Sequence, residues 1–146
     1  MFVFLDIDGV LNRKNEWCVP YTLNKECLDN FASCFQGIDV KIILVSSWRT
    51  GFISPGNTKN LPQIKTLEKE LEQRGLRIRG ITSTSEKDRM SGIQSFLEKH
   101  PEPYFILDDD LSEYGGKRVP NLYLVNCKSG FTLKDAKKVR QMIGSL

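Results

Sequence analysis

The chain has one histidine, His100, in 146 residues. Its four cysteines (Cys18, Cys27, Cys34, Cys127) include no Cys-x-x-Cys pair. Together these scarcities argue against a zinc site. Cys27 and Cys34 lie seven residues apart, which suits one face of a helix and two buried free thiols. No apolar run approaches the length of a membrane-spanning helix. The apolar start stops after five residues at an aspartate, too soon for a secretory leader, so a cytoplasmic, non-membrane protein is expected. A net charge of +3 is too small to indicate nucleic-acid binding by itself. Any affinity for anions must come from local placement. No repeat or low-complexity segment interrupts the chain. With 40% hydrophobic and 27% charged residues, it has the composition of an ordinary folded protein, expected to be one domain over residues 1–146.

What is present is an alternation of short apolar runs with helical patterns, the signature of an α/β fold with a parallel sheet. Strands are expected at about 2–6, 40–45, 77–81, 104–107 and 122–125. Helices are expected from about Thr22 to Phe35, from Pro62 with Gly75 beyond its end, over 88–99, and from Thr132 to about Ile143. Pro62 suits a first helical turn. Ser85 with Asp88, and Thr132 with Asp135, have capping-box spacing. His100-Pro101 reads as a helix end and Asp110 as a turn or cap residue.

Polar clusters follow three of the apolar runs at once: Asp6/Asp8, Ser46/Ser47 and Asp108/Asp109. In a parallel sheet all strand C-termini share one edge, where ligands bind. Three clusters therefore converge on one crevice. Asp6 and Asp8, two apart in an extended segment, point to the same side. Carboxylates gathered there repel unless a proton or cation lies among them. All-oxygen ligands favour a hard ion, commonly Mg²⁺. One carboxylate can attack phosphorus, and a second can protonate the leaving oxygen and then activate water. A hydroxyl and a cationic side chain can hold the phosphoryl oxygens.

The run Asp6-Ile7-Asp8-Gly9-Val10-Leu11-Asn12 resembles the first motif of the haloacid dehalogenase-like (HAD) hydrolases. Ser46 is similar to their second motif, and Asp108-Asp109 to their acidic fourth motif. The cationic third motif matches either Lys87 or Arg89. The resemblance implies a three-layer Rossmann-like fold, with a central, mainly parallel sheet and helices on both faces. It implies a Mg²⁺-dependent phosphatase that works through an aspartyl-phosphate. In that reading Asp6 is nucleophile and metal ligand. Asp8 is general acid/base, with its carbonyl on the metal. Ser46, Ser47 and Lys87 or Arg89 hold phosphate. Asp109 is the first choice among the remaining metal ligands, with Asp108 supporting it or sharing the role. Relatives that are dehalogenases lack the second aspartate, so Asp8 favours phosphoryl chemistry.

The windows after the first and third motifs are too short for a sizeable cap domain. The implied site is open and suits a large phosphorylated substrate such as a nucleic-acid end. Ser46-Ser47-Trp48-Arg49, Leu107 to Asp110 and Ser129-Gly130-Phe131-Thr132 resemble a compact subgroup that includes HAD domains of RNA-repair proteins. The segments Arg13-Lys14-Asn15-Glu16-Trp17 and Trp48-Arg49-Thr50 are expected to rim the crevice, with Arg13, Trp48 and Arg49 holding a phosphate or stacking a base; the alternative places Trp48 in the core and leaves Arg13 and Lys14 as solvated turn residues. A small-metabolite phosphatase and a non-catalytic phosphate-binding module are the competing readings of function.

Overall fold

The computed structural model describes residues 1–146. Five strands, β1 (Phe2–Leu5), β2 (Lys41–Leu44), β3 (Ile78–Ile81), β4 (Tyr104–Asp108) and β5 (Leu122–Leu124), form one all-parallel sheet in the order β3-β2-β1-β4-β5. The continuous apolar sequence of β1 follows from its central place, where both faces are covered. Val3 and Leu5 join one core with α1 (Lys25–Cys34), α2 (Pro62–Glu72) and α4 (Leu133–Gly144). Phe2 and Phe4 join a second core with α3 (Arg89–Lys99) on the opposite face. The result is a three-layer, Rossmann-like α/β fold. No helix is long and apolar enough to cross a membrane.

The order of strands sets the site. From β1 the chain winds outward to β2 and β3, then crosses back past β1 to β4 and β5. The winding reverses between β1 and β4, and such a switch point opens a crevice at the strand C-termini. Leu5 pairs with Leu44 on one side and Leu107 on the other. The residues just beyond, Asp6, Val45-Ser46 and Asp108, are therefore brought to one edge.

Helix α3 is aimed at that edge by packing. Ile93 is fully buried, and the Phe96 ring meets Phe2 and Phe4 edge-on at 5.2 and 5.7 Å. Such aromatic pairs contribute about 1 kcal/mol each beyond area burial. They fix the helix axis, so its first residue, Arg89, lies over the crevice.

Helix boundaries differ from expectation where a better cap was present. Helix α1 starts at Lys25 rather than Thr22, because the Asn24 side chain accepts from the Cys27 N–H. The Ser85/Asp88 capping box does not form. Asp88 is itself the N-cap of α3, accepting from the Ser91 N–H, and the Ser85 hydroxyl pairs with that of Ser83. The Thr132/Asp135 box does form on α4. Cys27 and Cys34 are buried free thiols on one helix.

Candidate active site

Asp6 leaves β1 and is 4% exposed, and Asp108 ends β4 with no exposure. Oxygen atoms of Asp6, Asp108 and Asp109 all lie within 4.8 Å of one another. Facing them is a single cation, Arg89. Its Nη1 donates to Asp108 Oδ2 at 2.7 Å and lies 3.3 Å from Asp6 Oδ1, and its Nε meets Glu113 Oε2 at 3.0 Å. Burial opposes the Arg89 charge, but Asp6 and Asp108 outweigh it and raise its pKa. One guanidinium does not satisfy three carboxylates. Burial, then the Asp108 charge, pushes the Asp6 carboxyl well above the usual carboxylate range, although Arg89 pulls the other way. Burial and Asp108 also raise Asp109.

The two aspartates of β4's end have different tasks. Asp108 Oδ1 accepts from the N–H groups of Asp109 and Asp110 at 2.8 and 3.1 Å. Its Oδ2 accepts from Arg89 and from the Tyr114 hydroxyl, both at 2.7 Å. Both oxygens are thus occupied in ordering the loop and the cation. The Asp109 carboxyl instead faces Asp6, with an oxygen of each within 4.8 Å of the other. Gly9 makes room for it. Its φ is +87°, and a Cβ there would stand 2.2 Å from Asp109 Oδ2. The glycine serves the turn and the close approach of two acidic loops.

Asp8 sits in different surroundings. Its Oδ1 accepts from Asn12 Nδ2 at 2.9 Å, and its Oδ2 from Trp48 Nε1 at 3.2 Å. Asn12 is 1% exposed and fully used. It accepts from Gly9 N–H and Trp17 Nε1 and donates to Asp8 and the Thr22 carbonyl. Behind it, Gly130 adopts φ +64°, and a Cβ there would press 2.9 Å from the Asn12 carbonyl oxygen. Phe131 N–H donates to the Val10 carbonyl at 2.8 Å. The Ser129–Thr132 segment therefore buttresses the first acidic loop.

Ser46 and Ser47 reach the cleft from β2's end, and the Ser46 hydroxyl also caps the following turn by accepting from Trp48 N–H. The cleft holds about 240 Å³ and is lined by Asp6, Asp8, Trp17, Ser46, Ser47, Arg89, Asp109 and Asp110. No folded segment covers it. A larger groove of about 600 Å³ beside α3 contains none of the residues expected in the site.

Several placements correct the sequence reading. Trp48 does not stand on the rim; it is 2% exposed within the core, with only its N–H directed at Asp8. Of the aromatics in the two expected rim segments, Trp17 is the one at the cleft, 40% exposed. Arg13 is turned away, held by the Ser129 carbonyl and Glu26. Lys87 is exposed and outside the lining, whereas Arg89 is inside. The Asp88 cap explains this: it places Arg89 on the helix's first turn and Lys87 before it. Arg49 donates to Thr82 Oγ1 and makes no ion pair, and its Nε is buried without a partner. Burial, then the neighbouring Arg89 charge, lowers its pKa, and it lies outside the cleft lining. Asp110 caps the 3-10 turn at Leu111–Tyr114, as expected, and also lines the cleft. Asn12, Glu113 and Tyr114 were not expected as site residues. Asn12 alone carried a signal, as the last residue of the first motif.

The donor set fits a hard cation: oxygen ligands only, an excess of carboxylate over cationic charge, and two carboxyls that burial and crowding push toward protonation. A model of the family described as the HAD domain in Swiss Army Knife RNA repair proteins matches residues 2–136. No curated protein and no solved structure matches the chain.

Proposed function

Since the chain belongs to the HAD domains found in Swiss Army Knife RNA repair proteins, we propose that it is a Mg²⁺-dependent phosphatase that removes a terminal phosphate from a nucleic-acid end. The observation that carries this reading is the contrast between Asp6 and Asp8. Asp6 lies buried among carboxylates beside one guanidinium. Asp8, two residues on, is held by two neutral N–H donors at the cleft wall. Two acids in unlike surroundings can take unlike roles.

In this mechanism an Asp6 oxygen attacks phosphorus and the P–O bond to the substrate breaks, leaving an aspartyl-phosphate. Asp8, protonated, gives its proton to the departing oxygen. It then takes a proton from water, which attacks the acyl phosphate, releases inorganic phosphate and restores the Asp6 carboxylate. Asn12 and Trp48 keep Asp8 pointed at that position. Arg89, Ser46 and Ser47 hold the phosphoryl oxygens as charge develops. Asp6, Asp109 and the Asp8 carbonyl would hold Mg²⁺, with Asp108 ordering the loop around them. Bound there, the ion would keep these acids ionised and offset phosphoryl charge. The open cleft accommodates a phosphoryl group but does not enclose a nucleotide, since small-molecule pockets usually run to about 300 Å³ or more. That favours a large substrate whose body stays outside, over a small metabolite.

The test is phosphate release from p-nitrophenyl phosphate, nucleotides and oligonucleotides bearing a 5′- or 3′-phosphate, with Mg²⁺ and with chelator. Mg²⁺-dependent release fastest on oligonucleotide ends is expected. No release across the panel from folded protein would overturn the reading. In the same assay Arg89→Ala is expected to lower kcat/KM by about 10²–10³, the effect of removing one preorganised charge stabiliser. Lys87→Ala should change it by less than about threefold, within the range of a surface substitution. The reverse ranking would return the phosphate-binding role to Lys87.

A further inference from the structure

Among the eight residues lining the cleft, seven are polar or charged, and the eighth is Trp17. Its ring is fixed rather than loose. Trp17 closes the 3-10 turn Lys14–Glu16 with its N–H on the Lys14 carbonyl, and its Nε1 donates to Asn12 Oδ1 at 2.9 Å. The turn is itself anchored: Glu16 Oε1 accepts from Arg13 N–H and Asn24 Nδ2. The indole is thus rigidly mounted on the residue that holds Asp8, with 40% of the residue left exposed. Val19 and Tyr21, four residues further on at most, are also exposed apolar side chains, at 61% and 53%. Tyr21 adopts φ +61°, uncommon for a non-glycine residue, and its ring meets Trp48 edge-on at 5.2 Å.

An apolar wall gives a phosphate nothing. It serves a flat, apolar group joined to that phosphate at a distance the cleft cannot contain. With about 240 Å³ inside, such a group must lie at the rim, where Trp17 stands. Resting on the phosphatase reading above, we propose that Trp17 is the stacking platform for the terminal nucleobase of a single-stranded nucleic-acid end, and so sets the preference for nucleic acid over simple phosphate esters.

The experiment compares two oligonucleotides with the same terminal phosphate, one of which lacks the base on the phosphorylated residue. Base–aromatic stacking contributes about 1–3 kcal/mol by alanine substitution. The kcat/KM ratio, base-bearing over abasic, is therefore expected to be roughly tenfold or more for the wild type. It should fall to about one in Trp17→Ala and persist in Trp17→Phe, which keeps a ring but loses the N–H to Asn12. The ratio cancels any general loss of activity. A wild-type ratio near one, or a ratio unchanged in Trp17→Ala, overturns the platform while leaving the phosphatase reading standing. If no substrate turns over, binding to Asp6→Asn decides. Quenching of Trp17 fluorescence by the base-bearing oligonucleotide only, absent in the Asp6→Asn protein that also carries Trp17→Phe, supports the platform. Equal quenching by both oligonucleotides, or none, overturns it.

Discussion

Asp6→Asn is expected to abolish Mg²⁺-dependent phosphate release, by at least about a thousandfold, while making the metal-free protein more stable at neutral pH. The first effect follows from the proposed nucleophile, since an amide does not form the covalent intermediate. The second follows from the site's charge. Burial and Asp108 raise the folded-state pKa of Asp6. Between the unfolded and folded pKa values the folded protein binds more protons, so stability falls as pH rises through that window. Holding a charge at Asp6, or a proton in its place, costs folding free energy at neutral pH, and Asn removes that cost. Below the unfolded pKa the carboxyl is protonated in both states and the advantage is gone. Melting temperatures in chelator should therefore favour Asp6→Asn by a few degrees near pH 8 and by little near pH 4. A variant less stable than wild type at pH 8, with a gap that does not change with pH, would sink the electrostatic account. Residual turnover above about a hundredth would sink the nucleophile.

Asp108→Ala is expected to cost stability rather than chemistry alone. The change deletes four accepted hydrogen bonds at a site with no exposure. It strands the buried Tyr114 hydroxyl, two backbone N–H groups and part of the Arg89 guanidinium. Breaking a buried ion pair from one side costs about 3–5 kcal/mol. For a chain of this size that is a fall in melting temperature of roughly 10 °C. Asp108→Asn keeps an acceptor for the backbone and should lose about half as much. Turnover should also fall, because Arg89 loses its anchor and the Asp109 backbone its tether. Calorimetry or circular-dichroism melts would decide. A loss below about 1 kcal/mol would mean that Asp108 is not the organising carboxylate and is freer to act as a ligand.

The strand ends were the legible part of this molecule. Runs such as Phe2–Leu5 and Tyr104–Leu107 are apolar at every position, which only a strand covered on both faces allows, and the acids directly beyond them had to share an edge. Charge order within that edge was less legible. Lys87 and Arg89 differ by two residues, and the choice turns on which acid caps α3. Ser85 and Asp88 offered a plausible box, but Asp88 took the cap itself. Trp48 went to the core for a similar reason. Trp48 rides a 3-10 turn after Ser46, where neither the period of a strand nor that of a helix says which way a side chain points. Trp17 faces the cleft from the end of a 3-10 turn, its N–H on Asn12, where the chain is irregular and leaves no periodic trace. The division of labour between Asp108 and Asp109 likewise depends on loop N–H groups and on Tyr114, none of which leaves a periodic trace.

The pairing of β1 with β4 also bears on how the molecule assembles. β1 meets β2 across a separation of about forty residues, but it meets β4 across about a hundred, Phe2 opposite Tyr104. Longer loops cost more entropy to close, and folding slows as contacts become less local. The half of the cleft made by Asp6 and Ser46 thus needs only the shorter closure, whereas the three-carboxylate cluster exists only once the longest closure is complete. A cation that needs both halves cannot guide the first steps of folding. Bound there, it would act on the finished sheet, as a lock on the last strand pairing.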